Sequence, residues 1–422
     1  MNNYPPTKAI QTCSYNDFGS NLEKKVFEQV NREKEAGKEF VNHLILRNSS
    51  YAKDWLKFNI LLDNIPLFLY NLYSMHRAGF KEVVTVGNDD TGRIHNLFCS
   101  HFGIEGFVFV HEGKPEEWSM GNTIKKARNT LGSIRDENIL FCPGDTPFVD
   151  IKGLVGNKCL ADYDLVVPFN TKENCGPYFP RNYHIKLVDD KGRAYLSKEA
   201  NAFLMNLDKI EQNRFGEEIY EMAFNARKSY AAGNHQKKFV VELAFKEDGK
   251  FSLKRSLNAL GIIGPEWFFS EVPSFILKRK ILKQRENDDN LLKVKAEACS
   301  RLVEYALSIP DFRAKMYPTK DPAALIDLDS FEDVIFAEAM LRIAPRQVYP
   351  YYDELKDFAN GIKEWGCRFT DDWHYFAMHQ FIKYGIPAVY ASRGSFDQRV
   401  FPEKRIEAEV ELIKRYNENK KE

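Results

Sequence analysis

The segment Phe141-Cys-Pro-Gly-Asp145-Thr-Pro-Phe148 delivers a glycine and then a single carboxylate from the end of a short apolar run. Gly144 lets backbone approach a ligand closely. Asp145 offers the hard oxygen that Mg²⁺ takes, often from only one or two protein carboxylates plus substrate phosphates. An ordinary strand exit with a capping aspartate accounts for the same residues equally well. A second cluster is Asp327-Leu-Asp329-Ser-Phe-Glu-Asp333. At a strand end, Asp327 and Asp329 would point to the same side, and one of them reaching the Asp145 metal would complete a phosphate-metal site. Capping of the next helix by Asp329 or Ser330 explains one of these residues but not the pair. Lys57 precedes Pro66-Leu67 by nine positions. A lysine ahead of the first long helix can offset triphosphate charge in nucleotidyl transfer, although surface lysines are common.

Positioning these groups requires a sheet. Glu82-Val-Val-Thr-Val-Gly87, Gly106-Phe-Val-Phe-Val-His111, Asn138-Ile-Leu-Phe-Cys142 and Asp164-Leu-Val-Val-Pro168 are apolar or β-branched runs of strand length. They alternate with helical spacing at 66–78, 91–102 and 122–131, the first stopping at Gly79. His43-Leu-Ile-Leu46 reads as the strand that opens the series. Such alternation predicts an α/β fold: a Rossmann-like, mostly parallel sheet flanked by helices. Ligands then sit at the carboxyl ends of the strands, where Gly87-Asn88 and Gly144-Asp145 fall. Residues 183–196 read as a hairpin, 205–235 as helical, and 276–316 as long charged helices. Residues 323–329 read as a returning strand, with a helix through Leu341. The expected organisation is an N-terminal helical extension at 1–41, a main domain at 42–344 with an insertion at about 205–320, and a helical, aromatic-rich extension at 345–422. The aromatic stretch around Tyr349, Tyr351, Tyr352, Trp365 and Trp373 reads as packing surface against the main domain or a second subunit.

Sixty basic residues balance sixty acidic ones over the 422-residue chain, so no global field draws it to nucleic acid or an anionic membrane. The seven cysteines form no CxxC pair, which argues against a thiolate zinc site and for reduced thiols in the cytoplasm. No apolar run reaches the length of a membrane span. His374 and His379 are five apart, which does not put them on one helix face, and a structural role is expected of them.

Together these pieces resemble the nucleotidyltransferases that activate sugar phosphates, the molybdenum cofactor and related alcohols or phosphates, which share the nucleotide-diphospho-sugar transferase (GT-A-like) fold. The resemblance covers roughly 42–342. It rests on the Lys57–Pro66 separation and on Ala78-Gly-Phe-Lys-Glu-Val-Val-Thr-Val-Gly87. It rests also on Ser119-Met-Gly121-Asn122-Thr123, Gly144-Asp145-Thr-Pro147, Glu199-Ala-Asn201 and Asp327 to Val334. It implies an Mg²⁺-dependent transfer of a nucleoside monophosphate from a nucleoside triphosphate to a phosphate or hydroxyl acceptor. Ser119, Gly121, Asn122 and Thr123 would lie against base and ribose, with Asn88 and Gly144 nearby. Asp145, Asp327 and Asp329 would hold the metal. Asn201 and Arg181, the latter through a bidentate phosphate clamp, would meet the acceptor. The family's glycine-rich phosphate loop has as its counterpart the glycine-free segment Leu44 to Lys57, where Arg47, Asn48, Ser49 and Lys53 would supply donors instead. Two rival readings remain open: a glycosyltransferase using Asp327-Leu-Asp329 as its DxD motif, and a nucleotide-binding member without turnover. A homodimer is compatible with either.

Overall fold

The structure is a computed structural model. It describes residues 5–13, 57–114, 117, 119–132, 137–171, 185–188, 191–228, 244–247, 250–263, 293–319, 321–328, 337, 340, 341 and 345–366. The sheet contains β1 (Lys8–Thr12), β2 (Glu82–Gly87), β3 (Phe107–His111), β4 (Ile139–Pro143) and β5 (Leu165–Thr171). It continues with β6 (Ile185–Val188), β7 (Ala194–Glu199), β8 (Phe203–Met205), β9 (Lys293–Lys295) and β10 (Ala314–Pro318). The helices are α1 (Leu67–Arg77), α2 (Asp89–Phe102), α3 (Met120–Thr130), α4 (Ile151–Val155), α5 (Leu207–Ile210) and α6 (Glu218–Lys228). They continue with α7 (Leu253–Ile263), α8 (Ala296–Leu307), α9 (Pro345–Val348) and α10 (Tyr352–Asn360).

The strands run in the order β9-β6-β7-β5-β8-β4-β1-β2-β3, with β10 also paired to β5. Strands β4, β1, β2 and β3 are mutually parallel. The short β8 is antiparallel to both β4 and β5, so β5 again runs the way of β4. Helix α1 packs on one face within the larger apolar core, together with Phe98 of α2 and Phe358 of α10. Helix α3 and Ile10, Val84 and Phe141 of the sheet share the core of the other face. The α/β class and the mostly parallel sheet are as expected, and so are the hairpin β6–β7 and the helices α1 to α3.

Three expectations are corrected. The strand at the centre of the parallel set, between β4 and β2, is Lys8–Thr12, inside the stretch read as an N-terminal helical extension. Both faces of this strand are covered, so it shows no polar–apolar alternation, and its polar members hide it further. Lys8 is buried beside Glu82 and Glu137. The Gln11 carboxamide donates to the Phe68 carbonyl at 2.8 Å and accepts from the Thr85 hydroxyl at 3.0 Å. The segment His43–Leu46 lies outside the described residues. Second, 276–316 is not a run of helices where it is described: β9 and β10 flank α8 and join the main sheet. Third, 323–328 is not a strand. Asp321 caps a 3-10 turn, Pro322–Leu325, and the chain then continues irregularly to Leu328.

The start of the C-terminal extension packs on the main domain. The buried Tyr349 hydroxyl donates to the Tyr70 carbonyl at 2.7 Å and accepts from Ser74 at 3.2 Å. The Trp365 indole donates to the Asn64 carbonyl at 3.3 Å. Trp373 and the helix expected at 402–421 lie outside the described residues. Among the described residues no helix is long and apolar enough to cross a membrane.

Candidate active site

The carboxyl ends of β1 and β4 are tied to each other and to β2 by backbone bonds. The Gly144 amide donates to the Thr12 carbonyl at 2.9 Å, and the Cys13 amide to the Val86 carbonyl at 2.7 Å. Gly144 has to be glycine because of this convergence. A Cβ there would lie 2.6 Å from the Cys13 sulfur and 3.0 Å from both Phe58 and Phe68. The space where a side chain at position 144 would stand is therefore filled by protein. Burial, followed by the charges of Asp145, Cys142 and Glu112, pushes the Cys13 thiol well above its ordinary value. Burial likewise pushes Cys142 up to about 12. Both are neutral packing thiols, and neither is a nucleophile. The field acting on Cys13 also locates two carboxylates, Asp145 and the buried Glu112, around the same strand ends.

The loop after β4 receives the second acidic cluster directly. The Leu328 amide donates to the Asp145 carbonyl at 2.9 Å. That bond sets Asp327 beside the Gly-Asp turn, although the sequence separates them widely. The Asp327 carboxylate is held from β7: Lys198 Nζ lies 3.3 Å from Oδ1, and Asn201 Nδ2 donates to Oδ2 at 3.1 Å. The Lys198 and Asp327 side chains are 8% and 17% exposed, so the pair is only partly screened by water. Asn201, expected at the acceptor, is thus an orienting partner of Asp327. Asp329 lies outside the described residues.

A magnesium ion fits this donor set. Among the described residues no group of three or more His, Cys, Asp or Glu side chains is gathered for a metal. Mg²⁺, however, takes one or two carboxylates and completes its shell with water and phosphate. Each Asp327 oxygen accepts one hydrogen bond and keeps lone-pair capacity.

The remaining expected residues divide. Lys57 opens a 3-10 turn, Lys57–Asn59, whose Phe58 packs on Gly144, so the turn borders the same loop. The Asn88 side chain caps α2, its Oδ1 accepting from the Thr91 amide at 3.0 Å. Ser119 caps α3 in the same way, accepting from the Asn122 amide at 3.1 Å. The Asn122 side chain donates to the Glu117 carbonyl at 2.7 Å. Thr123 is buried inside α3. The Met120 and Gly121 amides point at the Glu221 carboxylate of α6, at 3.1 and 3.4 Å. These residues shape the N-terminal ends of α2 and α3. Arg47, Asn48, Ser49, Lys53 and Arg181 lie outside the described residues. Of the segment Leu44–Lys57, only Lys57 is among the described residues.

The sequence reading missed Lys198 and Glu112. Lys198 had a usable signal: it lies two residues beyond the expected hairpin and three residues before Asn201. Glu112 follows β3 as Asn88 follows β2, at the ligand-binding end of the sheet.

No family model matches the chain, and no curated protein matches it. Solved structures do. A hypothetical transferase from Thermus thermophilus is 14% identical, with 78% of this chain and 99% of that one covered at a TM-score of 0.39. The inositol-1-phosphate CTP transferase from T. maritima is 16% identical, covering 49% and 72%, at 0.33. The 4-diphosphocytidyl-2C-methyl-D-erythritol synthase from Anaerococcus prevotii is 12% identical, covering 79% and 95%, at 0.33. Similarity at this level assigns no activity by itself.

Proposed function

We propose that the chain is an Mg²⁺-dependent nucleotidyltransferase that moves a nucleoside monophosphate from a nucleoside triphosphate to a phosphate or hydroxyl acceptor, releasing pyrophosphate. The observation that carries this reading is the Leu328–Asp145 backbone bond. It brings Asp327, with Lys198 and Asn201 attached, to the Gly-Asp turn at the carboxyl ends of the parallel strands. Two carboxylates and a poorly screened ammonium at that place suit a phosphate under attack. Asp145 and Asp327 would hold the ion. When bound, Mg²⁺ supplies positive charge beside the α-phosphate. Lys198 and Lys57 offset the negative charge that builds on the phosphate oxygens, and Asn201 fixes the Asp327 carboxylate. The acceptor oxygen forms its bond to the α-phosphorus as the bond to the pyrophosphate oxygen breaks. Positioning and charge compensation are the protein's main contributions to such transfers. The test is thermal unfolding with ATP, CTP, GTP and UTP, each with and without Mg²⁺. A ligand of the folded state raises the midpoint with its occupancy. The expected result is a shift for one nucleotide that needs Mg²⁺ and disappears in Asp145→Asn. No shift with any triphosphate overturns the reading.

A further inference from the structure

Helix α1 is buried without interruption from Leu67 to Met75, and Asn71 sits in the middle of that run with no exposure to solvent. Leu67, Phe68, Leu72 and Met75 around it belong to the larger apolar core. A primary amide is a costly group to place there unless its polar atoms are bonded. Only one end of it is. Asn71 Nδ2 donates to the Pro143 carbonyl at 2.8 Å and to the Thr146 hydroxyl oxygen at 3.2 Å. Asn71 Oδ1 is buried and has no hydrogen-bond partner among the described residues. Both groups that Nδ2 faces are oxygens, and a carbonyl only accepts, so the amide cannot be turned round.

The Pro143 carbonyl does not need this bond to be satisfied. The Thr146 hydroxyl already donates to it at 3.0 Å. A leucine at position 71 would fill a similar volume, orphan no oxygen of its own and leave the carbonyl bonded. What the amide adds is position. Pro143 and Thr146 stand on either side of Gly144-Asp145, and Asn71 grips both, so the two ends of the turn are held by one atom of one helix. The middle of the turn is held from elsewhere: the Gly144 amide by the Thr12 carbonyl of β1, and the Asp145 carbonyl by the Leu328 amide. None of these bonds uses the Asp145 carboxylate. Three elements far apart in sequence thus fix the backbone on which that carboxylate stands.

We propose that Asn71 is a positioning residue: given Asp145 as a metal ligand, as read above, the Asn71 amide sets the place and direction of that carboxylate by holding Pro143 and Thr146 together. It touches neither ion nor nucleotide. An ion bound through only one or two carboxylates depends on how accurately each is held. Loss of the amide therefore weakens metal binding more than it weakens the fold.

The experiment titrates the full chain with Mn²⁺ alone, a paramagnetic stand-in for Mg²⁺, and reads the free ion by electron paramagnetic resonance. Thermal unfolding of the metal-free chain is measured alongside. Asn71→Leu should raise the Mn²⁺ dissociation constant about tenfold and leave the metal-free midpoint close to that of the parent. Thr146→Val, which removes the hydroxyl from the grip, should also raise it, while Thr146→Ser, which keeps the hydroxyl, should bind as the parent does. Asp145→Asn should abolish uptake. An Asn71→Leu chain that binds Mn²⁺ like the parent overturns the proposal, and a lowered midpoint with unchanged affinity overturns it by showing a packing role. Where Asn71→Leu does not fold, equal affinities of Thr146→Val and Thr146→Ser overturn it. A parent that takes up no Mn²⁺, or an Asp145→Asn chain that takes up as much as the parent, overturns the reading of Asp145 as a ligand and this role with it. A parent that binds through Asp145 while the Asn71 and Thr146 variants match it overturns the role alone.

Discussion

The Leu328 amide donates to the Asp145 carbonyl across 2.9 Å, and through that bond the late acidic segment becomes part of the loop after β4. Backbone pairing of this kind is indifferent to side-chain identity. It fixes where the main chains of Asp145 and Asp327 run without using either carboxylate.

The consequence is testable at Lys198. Its ammonium is the cation already paired with Asp327. Lys198→Met removes that cation from a mostly buried carboxylate and should cost about 1–3 kcal/mol of folding stability in the absence of divalent ions. Mg²⁺ competes for the same oxygens, so it should raise the unfolding midpoint of Lys198→Met more than that of the parent chain. Asp327→Asn should show little Mg²⁺ response in either background. Denaturant and thermal unfolding with and without Mg²⁺ measure both. An equal Mg²⁺ response in all three chains would remove Asp327 from the metal site.

Gly144 gives a prediction of a different kind, because its need for glycine comes from packing. Gly144→Ala drives a methyl group to 2.6 Å from the Cys13 sulfur and should destabilise the fold by about 1–3 kcal/mol. In a Cys13→Ala background the sulfur is gone, and the same substitution should cost less, though Phe58 and Phe68 still crowd it at 3.0 Å. A double-mutant cycle by urea unfolding reads the coupling. Strict additivity would mean that the loop relaxes away from Cys13.

How much of this was legible beforehand depended on what kind of signal each element carries. Strands β2 to β5 announce themselves because β-branched and aromatic runs have few other uses. Lys8–Thr12 does not, because a central strand needs no alternation and its lysine and glutamine are satisfied by partners far away in sequence. The expected phosphate loop, Leu44–Lys57, is tied to the strand expected at His43–Leu46, which lies outside the described residues. Asp145 was legible from Pro143-Gly144 before it and Pro147 after it. Asp327 was legible as half of an acidic pair, but its actual partners, Lys198 and Asn201, were not. Only the sheet order brings β7 to that side. Asn88 and Ser119 are expected as ligand contacts, and in the structure their side chains cap helices. A cap and a ligand contact favour the same short polar residues at the same strand-to-helix turns, and sequence cannot separate them.

Asp321 offers a pH-dependent test of how the 3-10 turn ahead of Asp327 is held. Its carboxylate accepts from the Asp150 amide at 2.8 Å and the Ala323 amide at 2.9 Å. Burial outweighs both bonds and raises its pKa from the ordinary 3.8 to about 6. The folded chain therefore holds this proton where the unfolded chain has lost it. Any stability from the protonated form is fully present below about pH 4 and is lost as pH rises through about 6. The side chain keeps some contact with solvent, which limits the effect to about 1–2 kcal/mol. Stability measured at intervals from pH 4 to 7 should fall more steeply in the parent than in Asp321→Ser, which keeps a capping oxygen but cannot titrate. Identical pH profiles would mean that the Asp321 carboxyl is ionised throughout and that the turn leading to Asp327 is held by a charged cap.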